Sequence, residues 1–169
     1  MTLYTLTGAG HRGMEAGVRA VVAGGDGDKA ATGGVVVATL EQGFWRERAR
    51  ALVGGQEWVF GKETGDLGAR LSADPEHTTR MRAVRTSFWT SRHEVDLEGV
   101  LVQVQGGARN RVWTVDGQQI GTSGRIGFWS PTPTLTLRED VPLHHAVFLV
   151  WLDFTFTRRN IQAAAAAAT

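Results

Sequence analysis

The chain has 169 residues, enough for one domain with a substantial core of its own. It has no cysteine, which excludes a disulfide framework and a cysteine-ligated zinc site. Its 18 Lys and Arg against 17 Asp and Glu leave a net charge of +1, far from the basic excess of an electrostatic nucleic-acid binder. In chain order, Leu3–Thr7 alternates as a first strand, Gly8–Gly17 reads as a loop, and Val18–Ala23 is a second strand closed by the glycines of Gly24–Asp28. That acidic turn resembles a calcium loop but lacks the full ligand series and the closing glutamate, so a solvated hairpin turn is the better reading. Gly33–Leu40 is a third strand. Phe44–Val53 fits either a strand or a helix; the propensities of Ala, Arg, Glu and Leu lean towards the helix.

Glu57–Lys62 and Ala69–Ser72 read as short strands around a turn at Gly65–Gly68, and Asp74-Pro75 marks another turn. Met81–Phe88 and Val95–Gln105 read as two further strands. Arg111–Val115, the pair Asp116-Gly117, and the return from Gln118 to Gly121 form the clearest local signal, a tight hairpin. Arg125–Trp129 and Thr134–Leu137 supply the last strands. About ten short strands at hairpin spacing indicate a sandwich or a barrel.

Val141–Thr157 is the longest apolar run and has no polar face at helical spacing. Glu139, Asp140 and Pro142 suit a helix start; Arg158 and Arg159 suit its C-terminal end. High β-propensity along the run keeps a strand reading open. Asp153 interrupts it, and the unbroken apolar part falls short of the roughly 20 residues of a membrane span. A helix at 142–157 that is apolar all round must be wrapped by protein. The expected fold is therefore mainly β: a closed antiparallel barrel, which leaves no exposed edge, enclosing a hydrophobic C-terminal helix. One domain spans 1–160, with a frayed Ala-rich tail at 161–169.

Trp113-Thr114-Val115-Asp116-Gly117-Gln118-Gln119-Ile120-Gly121 resembles the late hairpin of tubby-like proteins, the superfamily of tubby C-terminal domains, LURP-one-related proteins and phospholipid scramblases. The order that follows is also similar: a strand like Thr134–Leu137, a short acidic link like Glu139-Asp140, then a hydrophobic C-terminal helix. The resemblance covers the last third of the chain. It implies a twelve-stranded barrel around the helix, of about 10–12 strands at this chain length. It also implies a phospholipid-binding or interaction role, because tubby domains bind phosphoinositides through basic surface residues. The chain departs from the family in its His144-His145 pair and its Trp-rich helix.

The candidate anion-binding residues are Arg46, Arg48 and Arg50 in one cluster and Arg80, Arg82, Arg85 and Arg92 in another. The guanidinium fork matches phosphate oxygens, and Trp45, Phe88 and Trp89 lie among them. The bland alternative is a solvated face balanced by Glu47, Glu94, Asp96 and Glu98. Asp153 is either a structural partner of an arginine or, with His145, part of a pocket inside the barrel. His144 and His145 diverge by about 100° on a helix and need outside partners to share a metal, so no metal set is read here. No nucleophile elbow, phosphate loop or zinc-protease motif is present, and no cofactor is implied.

The expectation is a non-enzymatic binding or interaction domain recognising anionic phospholipid headgroups, or a protein partner, through surface arginines. Two alternatives are a small-molecule carrier or enzyme with a pocket inside the barrel, and a single-stranded nucleic-acid binder using Trp45 and Trp89. The near-neutral charge argues against the last. The N-terminal stretch lacks a signal-peptide pattern, so the expected location is cytoplasmic, peripheral at a membrane if lipid is the ligand.

Overall fold

Short runs of alternating residues build the wall of this molecule. In Ala49–Val53, for example, Ala49, Ala51 and Val53 turn inward while Arg50 and Leu52 face solvent. The structure, a computed structural model, describes residues 1–8, 18–24, 34–42, 47–63, 65–87, 92–107, 110–126 and 132–167. The strands are β1 (Thr2–Thr7), β2 (Val18–Ala23), β3 (Val35–Gln42), β4 (Ala49–Val53), β5 (Gln56–Glu63) and β6 (Asp66–Leu71). Then follow β7 (Met81–Arg85), β8 (His93–Leu97), β9 (Val100–Gly106), β10 (Arg111–Val115), β11 (Gln118–Ile126) and β12 (Thr132–Leu137). The single helix among the described residues is α1 (Leu143–Ala167).

Each strand pairs antiparallel with the strands before and after it, and β1 pairs with β12, closing the barrel. Closure satisfies the backbone of every strand and leaves no edge to recruit another chain. The fold is thus the expected one: a closed antiparallel barrel of twelve strands with a hydrophobic C-terminal helix.

The helix is the core of the barrel. Ala146, Val147, Phe148, Leu149, Trp151 and Leu152 are all fully buried, so every face of this stretch meets the wall. An α-helix with its side chains is about 10–12 Å across, a width that a barrel of this strand number can enclose. The wall makes room with small inward residues (Ala38, Ala49, Ala51, Ala69 and Ala83) beside larger ones such as Phe60 and Trp113. Phe60 packs its ring 5.4 Å from both Phe148 and Trp151. Among the described residues no helix is long and apolar enough to cross a membrane.

Four details differ from the sequence reading. Residues 49–53 are strand, not helix: burying alternate side chains outweighs helix propensity, and residues 44–46 lie outside the described set. The stretch read as one strand over 95–105 is two, β8 and β9, folded at Glu98-Gly99, where φ is +54° and +97°. Arg125 belongs to β11 and not to a separate strand, with 127–129 outside the described residues. The helix continues past Thr157 through the Ala-rich run to Ala167, because alanine is the best helix former. Arg158 and Arg159 therefore sit within the helix rather than at its end. The Asp116-Gly117 hairpin forms as expected, with φ of +49° and +76°.

Candidate anion-binding rim

Because every strand reverses direction, alternate connections gather at opposite ends. The helix starts at one end, here called proximal, beside the β8–β9 and β10–β11 turns. It leaves at the distal end, where β2, β4, β8 and β10 begin and β1, β7 and β11 finish. Among the described residues the proximal end is net acidic and the distal end net basic. Of these residues, the proximal end holds Asp74, Glu76, Glu98, Asp116, Glu139 and Asp140, and three of its cations are paired with carboxylates, while Arg70 donates to the Leu71 and Asp74 carbonyls. Arg80 chelates Asp74 at 2.6 and 2.9 Å, Arg138 chelates Asp140 at 2.8 and 2.7 Å, and the Met1 amino group reaches Glu139 at 3.1 Å.

The distal end holds Arg19, Arg48, Lys62, Arg85, Arg92, Arg111, Arg125, Arg158 and Arg159. Among the described residues six carboxylates share this end: Glu41, Glu63 and Glu94 at the distal ends of β3, β5 and β8, and Glu47, Asp66 and Asp153, which are each engaged by an arginine. Arg159 donates to Glu47 at 2.5 and 2.6 Å, Arg82 to Asp66, and Arg111 to Asp153. Arg159 holds the Glu47 carboxyl below the usual carboxylate range. Arg19, Arg48, Arg92 and Arg125 have no carboxylate partner among the described residues. The net charge of +1 thus conceals an axial separation of charge.

Arg19 shows the imbalance most directly. Its guanidinium lies 4.7 Å above the Phe154 ring, and Arg158 approaches the same ring at 5.8 Å. Burial, then the positive charge of Arg158, push the Arg19 guanidinium below its ordinary value. Two cations approach one aromatic ring, and the Glu47 carboxylate that Arg159 holds also feels the charge of Arg158.

The fold dissolves the two arginine clusters read from sequence. Arg48 and Arg50 belong to the β4 region, Arg80, Arg82 and Arg85 to β7, and Arg92 immediately precedes β8. Arg50 lies 3.6 Å from Glu57, Arg80 is held by Asp74, and Arg82 by Asp66. Arg85 donates to the Ser87 carbonyl at 3.2 Å. Arg48, Arg85 and Arg92 fall on the distal rim. Arg46, Trp45, Phe88 and Trp89 lie outside the described residues. Arg19, Arg125 and Arg158 join the rim from three separate places in the chain; nothing in their local sequence marks them, since only the barrel brings them to one end.

Asp153 and His145 do not face a common pocket. They are eight residues apart, about 12 Å along the helix axis, and bind different partners. Asp153 accepts hydrogen bonds from Arg111 Nη1 at 2.7 Å and Ser123 Oγ at 2.6 Å, and Trp113 Nε1 donates to Ser123 Oγ at 2.9 Å. Arg111 Nη1 also donates to Thr157 Oγ1 at 3.0 Å. The carboxylate ties the helix to β10 and β11 as a buried ion pair, the structural role weighed for it. His145 sits near the proximal end with its Nε2 3.0 Å from Glu98 Oε2. Burial holds its imidazole below the ordinary histidine value, against the opposing pull of Glu98.

No family model matches this sequence, and neither a curated protein nor a solved structure matches it.

Proposed function

We propose that this barrel is a non-enzymatic binding domain that recognises an anionic phospholipid surface through its distal arginine rim. The observation that carries the reading is the ring of arginines at one end, on β2, before β4, at the end of β7, before β8, near the end of β11 and on α1. Adjacent strands are about 4.8 Å apart, so the starts of β4 and β8 are separated by roughly 19 Å along the wall. Guanidiniums spread this widely suit a planar charged surface better than one small anion. Each basic residue near an anionic membrane contributes about 1 kcal/mol.

The interior supports the same reading. The helix occupies it, and Asp153, the one carboxylate in the helix, is committed to Arg111 and Ser123. A tubby-like relationship belongs to the proposal too. It rests on the Trp113–Gly121 hairpin, the terminal helix and the plugged barrel, and tubby domains bind phosphoinositides through basic surface residues.

Co-sedimentation with vesicles tests it. The protein should bind phosphatidylcholine vesicles that contain phosphatidylserine or phosphoinositide, fail to bind pure phosphatidylcholine, and release as salt rises. Replacing both Arg48 and Arg92 by Gln should weaken binding by about 2 kcal/mol, roughly thirtyfold. Absence of binding at low salt, or binding indifferent to that double substitution, overturns the proposal. Equal competition by inorganic phosphate would point to a small anion instead of a surface.

A further inference from the structure

The proximal mouth carries a second constellation, independent of the arginine rim. The β8–β9 turn delivers the Glu98 carboxylate to the first turn of α1. Its Oε2 stands 3.0 Å from His144 Nε2 and 3.0 Å from His145 Nε2. The three ligand atoms lie within 4.8 Å of one another. Adjacent histidines on a helix diverge too far to chelate by themselves, and here the turn supplies the outside partner that makes them converge.

We propose that Glu98, His144 and His145 form a binding site for a divalent transition-metal ion of the zinc type. Zinc is held by imidazole nitrogen at about 2.0–2.1 Å and carboxylate oxygen at about 2.0–2.2 Å. Tetrahedral bonds of that length place neighbouring ligand atoms about 3.4 Å apart, so the two 3.0 Å separations to Glu98 need only a few tenths of an ångström of adjustment, and the two imidazole nitrogens, within 4.8 Å of each other, close on the ion by small rotations of their rings. Two imidazoles and one carboxylate select a borderline metal such as Zn²⁺ over Ca²⁺ or Mg²⁺, which prefer all-oxygen shells. Glu98 and His144 are each about one-third exposed, so a fourth position faces solvent and takes water.

Two surrounding features fit this assignment. The first is backbone strain. Glu98 holds φ of +54° in a two-residue turn whose other hairpin counterpart uses Asp116-Gly117. Glutamate is a poor occupant of that left-handed position, where Asn, Asp or Gly is preferred. Strain of this kind concentrates at binding sites, and here it is what aims the carboxylate at the helix.

The second is orientation of the ligands. Trp58 stacks on the His144 ring at 5.3 Å with 13° between the planes, and Arg80 Nη1 stands 3.7 Å from the other carboxylate oxygen, Oε1. Such outer contacts fix ligand direction. The positive charge of Arg80 opposes a dication, but its chelation by Asp74 offsets that charge.

Isothermal titration of the full chain with Zn²⁺ alone tests the site. One equivalent should bind and raise the thermal midpoint by linkage. Co²⁺ should give the d–d absorption of a four-coordinate nitrogen and oxygen site. Glu98→Gln and His144→Ala should each weaken binding at least about tenfold. His77→Ala, on the exposed β6–β7 connection, should leave it unchanged. Glu98→Gln keeps the side-chain length, so it decides the matter even if His144→Ala disturbs the fold. No heat and no midpoint shift with Zn²⁺, or binding unaltered in Glu98→Gln, overturns the proposal.

Discussion

Arg111 and Asp153 give the sharpest test of how the helix is held. Both are nearly inaccessible, at 2% and 4% exposure, and their charged atoms are 2.7 Å apart. Replacing Arg111 by Met keeps the apolar stem but leaves the Asp153 carboxylate buried with Ser123 as its remaining side-chain donor. It also removes the hydrogen bond to Thr157 Oγ1. Breaking a buried pair from one side costs about 3–5 kcal/mol. For a chain of this length that is a fall of roughly 6–20 °C in thermal midpoint.

The double replacement Arg111→Met with Asp153→Leu should behave differently. Arg111 Nη2 is buried with no partner among the described residues, so the native pair already carries an unsatisfied donor worth about 1–3 kcal/mol. Removing both charges erases that penalty along with the desolvation of the pair. The double variant should therefore fall within about 1 kcal/mol of the parent or exceed it. Urea unfolding followed by circular dichroism on Arg111→Met, Asp153→Leu and the double variant closes the double-mutant cycle. Additive losses in the double variant, or a single-variant loss below about 1 kcal/mol, would refute the reasoning.

Other outcomes follow from particular contacts. Gly121→Ala should lose about 1–3 kcal/mol in urea unfolding, because its Cβ would stand 2.5 Å from the Thr136 carbonyl and 2.5 Å from Leu137 Cδ2. Gly107→Ala, with open space around the added methyl, is the near-neutral control. The Glu47–Arg159 pair stabilises at pH above about 4.5, the unfolded carboxyl value. Its contribution disappears as pH falls through the lower folded value, because the unfolded chain takes up the proton first. Being part-exposed, the pair contributes about 0.2–1 kcal/mol, and Glu47→Gln should flatten that portion of the stability–pH curve. Trp151 is fully buried, so Trp151→Phe should leave the fraction of fluorescence accessible to iodide unchanged or higher. A lower accessible fraction would place Trp151 in solvent.

The barrel was legible because its signals are local and mutually consistent. Alternation in Arg111–Val115, the Asp116-Gly117 turn and the all-round apolar helix each speak from a few residues. The fold at Glu98-Gly99 was not legible. Val95, Leu97, Val100, Val102 and Val104 read as one apolar run, and glutamate at positive φ is not a turn signal. That single missed turn also hid the Glu98–His144–His145 cluster, since only the hairpin carries Glu98 to the helix.

The distal rim escaped for a different reason. Sequence neighbours defined two arginine clusters, while the meander sorts residues by which end of a strand they occupy. Arg50 and Arg82 then meet Glu57 and Asp66 across neighbouring strands, and Arg19, Arg125 and Arg158 arrive from remote segments. Asp153 is the opposite case: a lone carboxylate in an apolar run demands a partner on physical grounds alone, and Arg111 supplies it.

The central functional claim is that the two ends of the barrel differ, and that the arginine rim is the one that binds. Hydrogen–deuterium exchange with and without phosphatidylserine-containing vesicles measures this directly. The account predicts added protection in peptides covering the start of β2, the start of β4, the start of β8 and the end of β11, with the β8–β9 and β10–β11 turns unchanged. Protection confined to those turns, or no change at either end, would contradict it.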